Sequence, residues 1–284
     1  MTQLDPASLD RAAAFVVSSL GQRPAVTVVV ERGALSPEDL LESPSPVWQV
    51  EQPHGANLPC RLQCGRVGSV PVLVIVEVPP YLPVRQRPCP VGIAAYCGCD
   101  WVLLVAHATP VEPERHTGEL VLVEDHVNLL GDSPLLPAKP SEVAYFLDMS
   151  VAYDPALRET MLRASDSVQV PIGVGVLVAS PLAQRPDTIA IESLRQNGGD
   201  ICGTGIVPHV LEAKRLGCRV LAVCVLGPKA ADGSHRSPSS GADPLPAARL
   251  PELLRAAIKD ASGWILTDSG PREVRSPAQP EEYG

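Results

Sequence analysis

Asp125, His126 and Asn128 put a carboxylate, an imidazole and an amide within four residues, the side-chain types from which acid–base relays are built. His107 follows an apolar run, where a strand gives way to a loop, and an imidazole there could act as acid or base near neutral pH. No carboxylate is set beside it by sequence, so a strand-end histidine bonded to backbone is the preferred reading. Cys60-x3-Cys64 and Cys97-x-Cys99 bring thiols close together, but neither pair has the C-x2-C spacing of a zinc ribbon and no nearby His completes a ligand set. No metal is therefore expected. The eight cysteines, with Cys202, Cys218 and Cys224 in apolar runs, read as reduced thiols of a cytoplasmic protein.

These side chains need a frame, and Gly199–Leu226 supplies its clearest part. Asp200–Ile206 reads as a short strand, and Pro208 sits where the first turn of a helix tolerates a missing N–H. Val207, Val210 and Leu211 give that helix an apolar face, Glu212, Lys214 and Arg215 a wet one, and Gly217 ends it. Cys218–Leu226 reads as a buried strand, which would complete a right-handed βαβ unit. Further central strands are predicted at Val26–Val30, Val70–Val78, Asp100–Val105, Leu120–Val123 and Val174–Ala179.

Asp5-Pro6 and Asp154-Pro155 each open a helix with a carboxylate cap followed by proline. The first carries an inner stripe of Leu9, Ala13, Val16, Val17 and Leu20 and ends at Gly21; the second runs to about Ala164. Other helices are expected over Val91–Tyr96, after Asp187, and over Pro251–Ala261 with Leu253, Leu254, Ala257 and Ile258 inward. Residues 36–69 read as loops with a short strand pair. The fold class is α/β: one domain over residues 1–267, a central mixed sheet flanked by helices, with a mobile Ser/Gly/Pro-rich loop at about 230–247 and a disordered tail over 268–284.

Composition agrees with a globular chain: of 284 residues, 45% are apolar and 19% charged. The net charge of −9 argues against a nucleic-acid partner. No apolar run reaches the ~20 residues that span a bilayer, and the N-terminus lacks the basic-then-apolar pattern of a signal peptide.

Three stretches also carry a resemblance. GDICGTGIVPHVLEAKRLGCRVLAVCVL, from Gly199, resembles the segment GADxxGMSTVPEVxxARxxGxRVxxxSxxTN of trimeric purine nucleoside phosphorylases. GELVLVEDHVNL, from Gly118, resembles that family's GDIMxIxDHINL, and FLDMSVAYD, from Phe146, its FPxMSxAYD. They occur in family order at family-like spacing, with weaker matching from about Arg23 to about Lys229. The resemblance implies a nucleoside phosphorylase-like fold, a homotrimer, and a purine nucleoside ligand with phosphate as co-substrate and no cofactor. It also makes Asp125-His126-Val127-Asn128 architectural rather than catalytic, a segment that leads the chain toward a subunit contact.

Laid on this sequence, the resemblance gives phosphate-site positions at Arg32, Gly33, Glu77, Pro79, Ala106 and Gly205. The family's Gly-rich GSGLG turn becomes Glu31-Arg-Gly-Ala-Leu35, with only Gly33 kept, a carboxylate at the mouth and Arg32 as a substitute anion contact. Glu77 and Pro79 stand for the family's phosphate Arg and supporting His, and Gly205 for a Ser whose hydroxyl binds phosphate. Ala106 lies in the strand end that replaces T-N-A-A-G-G. Nucleoside-pocket positions are Tyr81, His107, Phe146, Ala183, Gln184 and Thr204. Tyr81 is kept. Phe146 either reaches a neighbouring subunit's pocket or is a plain core or interface residue. Ala183 and Gln184 replace a base-stacking Phe and a base-binding Glu, and Thr204 a Met that packs on the ribose. Pro228 replaces the Asn that stabilises the departing purine.

No catalytic residue is retained at these positions, with Pro228 and Gln184 at the base contacts. The expected function is a phosphorylase-like protein whose phosphorolysis is lost or much reduced, a structural or nucleoside-binding member, with a protein assembly as its setting. The alternative is an active phosphorylase converting purine nucleoside and phosphate to base and ribose 1-phosphate. A third reading is a binder or hydrolase of another nucleoside, using His107 and Arg32.

Overall fold

The computed structural model describes residues 6–50, 60–77, 90–136, 147–181, 188–227 and 246–268. Strand β1 (Val26–Glu31), β-branched along most of its length, lies between β4 (Val70–Glu77) and β5 (Trp101–Pro110), parallel to both. Beyond β4, β3 (Arg61–Val67) adds antiparallel and β2 (Trp48–Gln49) forms an edge. On the other side, β5 pairs in parallel with β9 (Arg219–Leu226) over Trp101–Ala108. At its far end, Thr109 and Pro110 pair antiparallel with β8 (Ile201–Gly203). β9 continues to β6 (Leu120–Asn128), β6 to β7 (Gly173–Ala179), and β7 to β8. The sheet of nine strands thus closes at one end into a ring β5-β9-β6-β7-β8, which leaves those strands without open edges.

Helices cover both faces. Alternation along β1 sends Val28 and Val30 toward α4 (Pro155–Val168) and α7 (Leu250–Asp268), and Val29 toward α3 (Pro90–Tyr96) and α6 (Ile206–Arg215). A third apolar cluster joins α1 (Pro6–Leu20) to β3 and β4. The short α2 (Pro37–Leu40) and α5 (Thr188–Gln196) complete the helices of the described residues. The Asp154 carboxylate caps α4 by accepting from Leu157 N at 3.0 Å and also holds Arg219 at 2.6 Å. Arg219 in turn lies 4.0 Å over the Trp101 ring. The seven described cysteines are all buried and none forms a disulfide.

All seven expected strands lie in this sheet, but several details differ from the sequence reading. Only Ile201–Gly203 of Asp200–Ile206 is strand, because Gly203 and Gly205 turn the chain and α6 starts at Ile206. Pro208 still falls in the first turn. The expected βαβ unit is not formed: β8 runs antiparallel to β5 and β9 parallel to it, so β8 and β9 run in opposite senses. The wet face assigned to α6 is only partly wet, since Glu212 is buried and paired with Arg215. On α1 the expected stripe holds at Val16, which is buried, and at Leu9, Ala13 and Leu20, which pack on the third cluster, while Val17 is 48% exposed and the small Ser8 and Ala12 are buried beside them. α4 continues to Val168, where Gln169 adopts a left-handed conformation, and α7 continues to Asp268, past Gly263 within it.

Candidate functional site

The parallel register aligns Glu31 with Glu77, so two carboxylates stand side by side at the carboxyl ends of β1 and β4. Chain ends of this kind, in open parallel sheets, are where ligands bind. The turn after β1 is tight: Arg32 N donates to Glu77 O at 2.8 Å and Ala34 N to Glu31 O at 3.0 Å. Gly33 closes it at φ +92°, a conformation that glycine takes without steric cost.

Neither carboxylate is left bare. Glu77 meets His209 of α6 through Oε1 and Nε2 at 2.8 Å, and both residues are buried. Nδ1 of His209 is buried without a hydrogen-bond partner among the described residues. The tautomer that donates Nε2–H to Glu77 leaves a lone pair at Nδ1, a cheaper orphan than a buried N–H. Glu31 Oε2 accepts the backbone N–H of His107 at 2.9 Å. Burial pushes the Glu31 carboxyl up to about 7, against that hydrogen bond; Glu77 pushes it further up and His209 pulls it down.

The start of α6 closes the cluster. Gly205 is its N-cap, and a Cβ there would stand 3.6 Å from Glu31 Oε2 and 3.8 Å from Ala106 Cβ. Glu31, Glu77, Ala106 and Gly205, drawn from β1, β4, β5 and the entry to α6, therefore converge. Thr204 precedes Gly205, partly exposed. His107 presents an exposed side chain beside the Gly33 turn: a Cβ on Gly33 would lie 3.6 Å from its Nε2. Partial burial of the ring lowers the His107 pKa, against a hydrogen bond with the Gly33 backbone. The backbone-bonded reading of this residue fits that geometry, with the difference that a carboxylate, Glu31, does reach its main-chain amide.

Arg32 is not gathered into the cluster. The residue lines a groove with Ser36, Glu38, Arg61, Gln63 and Ala247, and Glu31, Glu77, Ala106 and Gly205 are not among its walls. Pro79, Tyr81, Phe146, Ala183, Gln184 and Pro228 lie outside the described residues, so the described positions are Arg32, Gly33, Glu77, Ala106 and Gly205 of the expected phosphate site and His107 and Thr204 of the expected nucleoside pocket. Asp125, His126 and Asn128 make local architecture. Asp125 Oδ1 accepts from His126 N at 2.7 Å, and Asn128 Oδ1 from Leu130 N at 3.1 Å. The His126 ring packs edge-on to Tyr153 at 5.7 Å.

Sequence reasoning passed over His209. The signal was present: VPHV at Val207–Val210 aligns with VPEV in the family segment, so a residue of opposite charge character faces the position where Glu77 replaces Arg. A reversal at one position had a counterpart in the other, but nothing in the helical pattern alone pairs residues from β4 and α6.

Comparison with known proteins places this architecture. The chain matches the Phosphorylase superfamily model over residues 36–259. It is 31% identical over 276 residues to the purine nucleoside phosphorylase of Mycobacterium tuberculosis, covering 93% of this chain and 96% of the relative. It is 27% identical over 236 residues to purine nucleoside phosphorylase 1 of Bacillus subtilis, covering 78% and 86%. The crystal structure of Schistosoma mansoni purine nucleoside phosphorylase complexed with a monocyclic inhibitor superposes with a TM-score of 0.72 at 16% identity, covering 91% of this chain and 98% of that one, a likeness of fold. With its closed five-strand ring, its three family segments and these matches over most of its length, the chain belongs to the purine nucleoside phosphorylase family within the phosphorylase superfamily.

Proposed function

We propose that this chain keeps the phosphorylase frame and has lost phosphate-dependent cleavage, serving as a nucleoside-binding or structural member of its family. The observation that carries the reading is the alignment of Glu31 and Glu77 at adjacent strand ends, with His209 bonded to Glu77. A phosphate nucleophile needs positive charge or N–H donors around it. Here the cluster holds two carboxylates, its one imidazole, His209, is bonded to Glu77, and the backbone N–H of His107 is already taken by Glu31. Gly205 adds no hydroxyl. Arg32, the expected substitute, lines a groove that does not include these residues.

The second reading, an active phosphorylase, is favoured by the match across 93% of the chain to a relative of that name. Calorimetry separates the two. On the proposed reading, inorganic phosphate gives no heat of binding with or without inosine or guanosine. Micromolar phosphate binding would support the active enzyme.

The homotrimer belongs to the same proposal. Leu129, Leu136 and Val151 are large apolar side chains exposed on either side of residues 137–146, the segment that ends at Phe146, and this supports a subunit contact there. Light scattering tests it: a trimer mass of about three chains is expected, and a monomer at micromolar concentration would refute it. Buried thiols outside any disulfide among the described residues fit a reducing cytoplasm as the setting. Among the described residues, no helix is long and apolar enough to cross a membrane.

A further inference from the structure

We infer that the groove beside the turn after β1 is a second ligand site, separate from the Glu31–Glu77 cluster, and that it takes a nucleoside monophosphate through Arg32 and Arg61, whether or not the chain also binds a nucleoside elsewhere. The strand register sets the groove and the cluster on opposite faces of one sheet end. Glu77 meets His209 on the α6 side. Val76, one residue earlier on β4, points the other way and packs on the apolar cluster that includes Leu253 and Leu254 of α7. Arg61 of β3 stands directly opposite Val76, and residues paired in this way share a face. Gln63, two residues along β3, shares it too. Arg32 follows Glu31, whose register partner is Glu77. The two arginines therefore belong to strands on either side of β4, with backbones about 10 Å apart across its end.

The groove has a volume of about 520 Å³, in the range of small-molecule sites. Its polar groups select the ligand. Arg32 and Arg61 are exposed, and neither guanidinium has an ion-pair or hydrogen-bond partner among the described residues. A phosphate monoester offers three terminal oxygens and accepts from two guanidinium forks at once, whereas a single fork already satisfies a carboxylate. Glu38 accepts from Ser36 Oγ at 2.5 Å, so its charge is partly spent within the wall. Asp39 adds a second carboxylate, which suits a ligand that carries O–H or N–H donors beside its phosphate, as a ribose and a base do. Val47, 49% exposed, lines the groove with Pro37 and Val76, an apolar surface for the face of a base. Inorganic phosphate would meet the arginines alone.

The test is calorimetry of the full chain with the adenosine, guanosine, cytidine and uridine 5′-monophosphates, with guanosine, and with inorganic phosphate. At least one monophosphate should bind, weakening as salt is raised, while inorganic phosphate alone gives no heat. Arg32→Gln and Arg61→Gln should each weaken that binding by ~10–100-fold, the usual worth of a charged hydrogen bond. Both side chains are exposed, so the variants should unfold at the wild-type Tm. Saturating guanosine should leave the monophosphate affinity unchanged, because the groove is not the proposed nucleoside pocket. Binding by none of the four monophosphates overturns the inference. So does displacement by guanosine, which would put the nucleotide in the nucleoside pocket, or inorganic phosphate binding as tightly as the nucleotide. Unchanged affinity in either arginine variant also overturns it, and this arm decides the matter whether or not guanosine binds.

Discussion

Glu31 offers a stability test that needs no substrate. Its carboxyl rises from an ordinary 4.5 to about 7 on folding, so the folded chain holds a proton there that the unfolded chain has released. The sign is the reverse of the usual carboxylate case. Below 4.5 both states are protonated and the group is neutral in its effect. Between 4.5 and 7 the folded state binds more protons, and stability falls as pH rises. Above about 7 the loss is complete. A rise of this size corresponds to about 3 kcal/mol between the protonated and ionised forms. Glu31 is partly buried, so solvent screening trims this to roughly 2–3 kcal/mol. Glu31→Gln keeps the shape and cannot ionise. The variant should match wild type near pH 5 and exceed it by roughly 2 kcal/mol at pH 8, equivalent to a Tm gain of about 4–8 °C for a chain of this size. Urea unfolding of both proteins at the two pH values measures it. A variant less stable than wild type at pH 8 by the same margin as at pH 5 would refute the burial of an ionising Glu31.

Other substitutions test the rest of the frame. Glu77→Leu should cost about 1–3 kcal/mol by leaving the buried His209 imidazole without its partner, and Glu77→Leu with His209→Leu should cost less than the sum of the two single changes; strict additivity in denaturant unfolding would show that the pair is not coupled. Asp154→Ala removes both the α4 cap and the Arg219 partner and should destabilise by about 1–2 kcal/mol, checked by thermal unfolding, with Asp154→Asn recovering part of the loss. Gly33→Ala forces a Cβ onto a residue at φ +92° and should cost about 1 kcal/mol or more; an unchanged Tm would mean that the turn relaxes.

The strands were legible because runs such as Val26–Val30 and Val70–Val76 admit few alternatives, and the Asp-Pro starts of α1 and α4 name their own helix ends. Ring closure was not legible. It depends on the three-residue strand β8 docking at Thr109 and Pro110, a pairing of two residues with two that strand pattern cannot specify. On α1 the stripe was legible at Leu9, Ala13, Val16 and Leu20, whereas Ser8 and Ala12, small rather than strongly apolar, gave no signal of their burial. In the site, the charge reversal at Glu77 could be read from the family segments, and its burial against His209 could not. Pairing across 132 positions is a product of the sheet and helix coming together, not of any local pattern. The resemblance makes Arg32 an anion contact, yet its backbone N–H is tied to Glu77 O and the residue lines a groove apart from the Glu31–Glu77 cluster.

The central claim is that phosphate has no place in this site. The most direct measurement is hypoxanthine release from inosine by the wild-type chain, followed by a coupled assay as phosphate is raised from zero to millimolar. The account predicts a rate that does not change with phosphate and no ribose 1-phosphate among the products. Turnover that climbs with phosphate toward the ~10 s⁻¹ typical of enzymes, with ribose 1-phosphate formed, would contradict it.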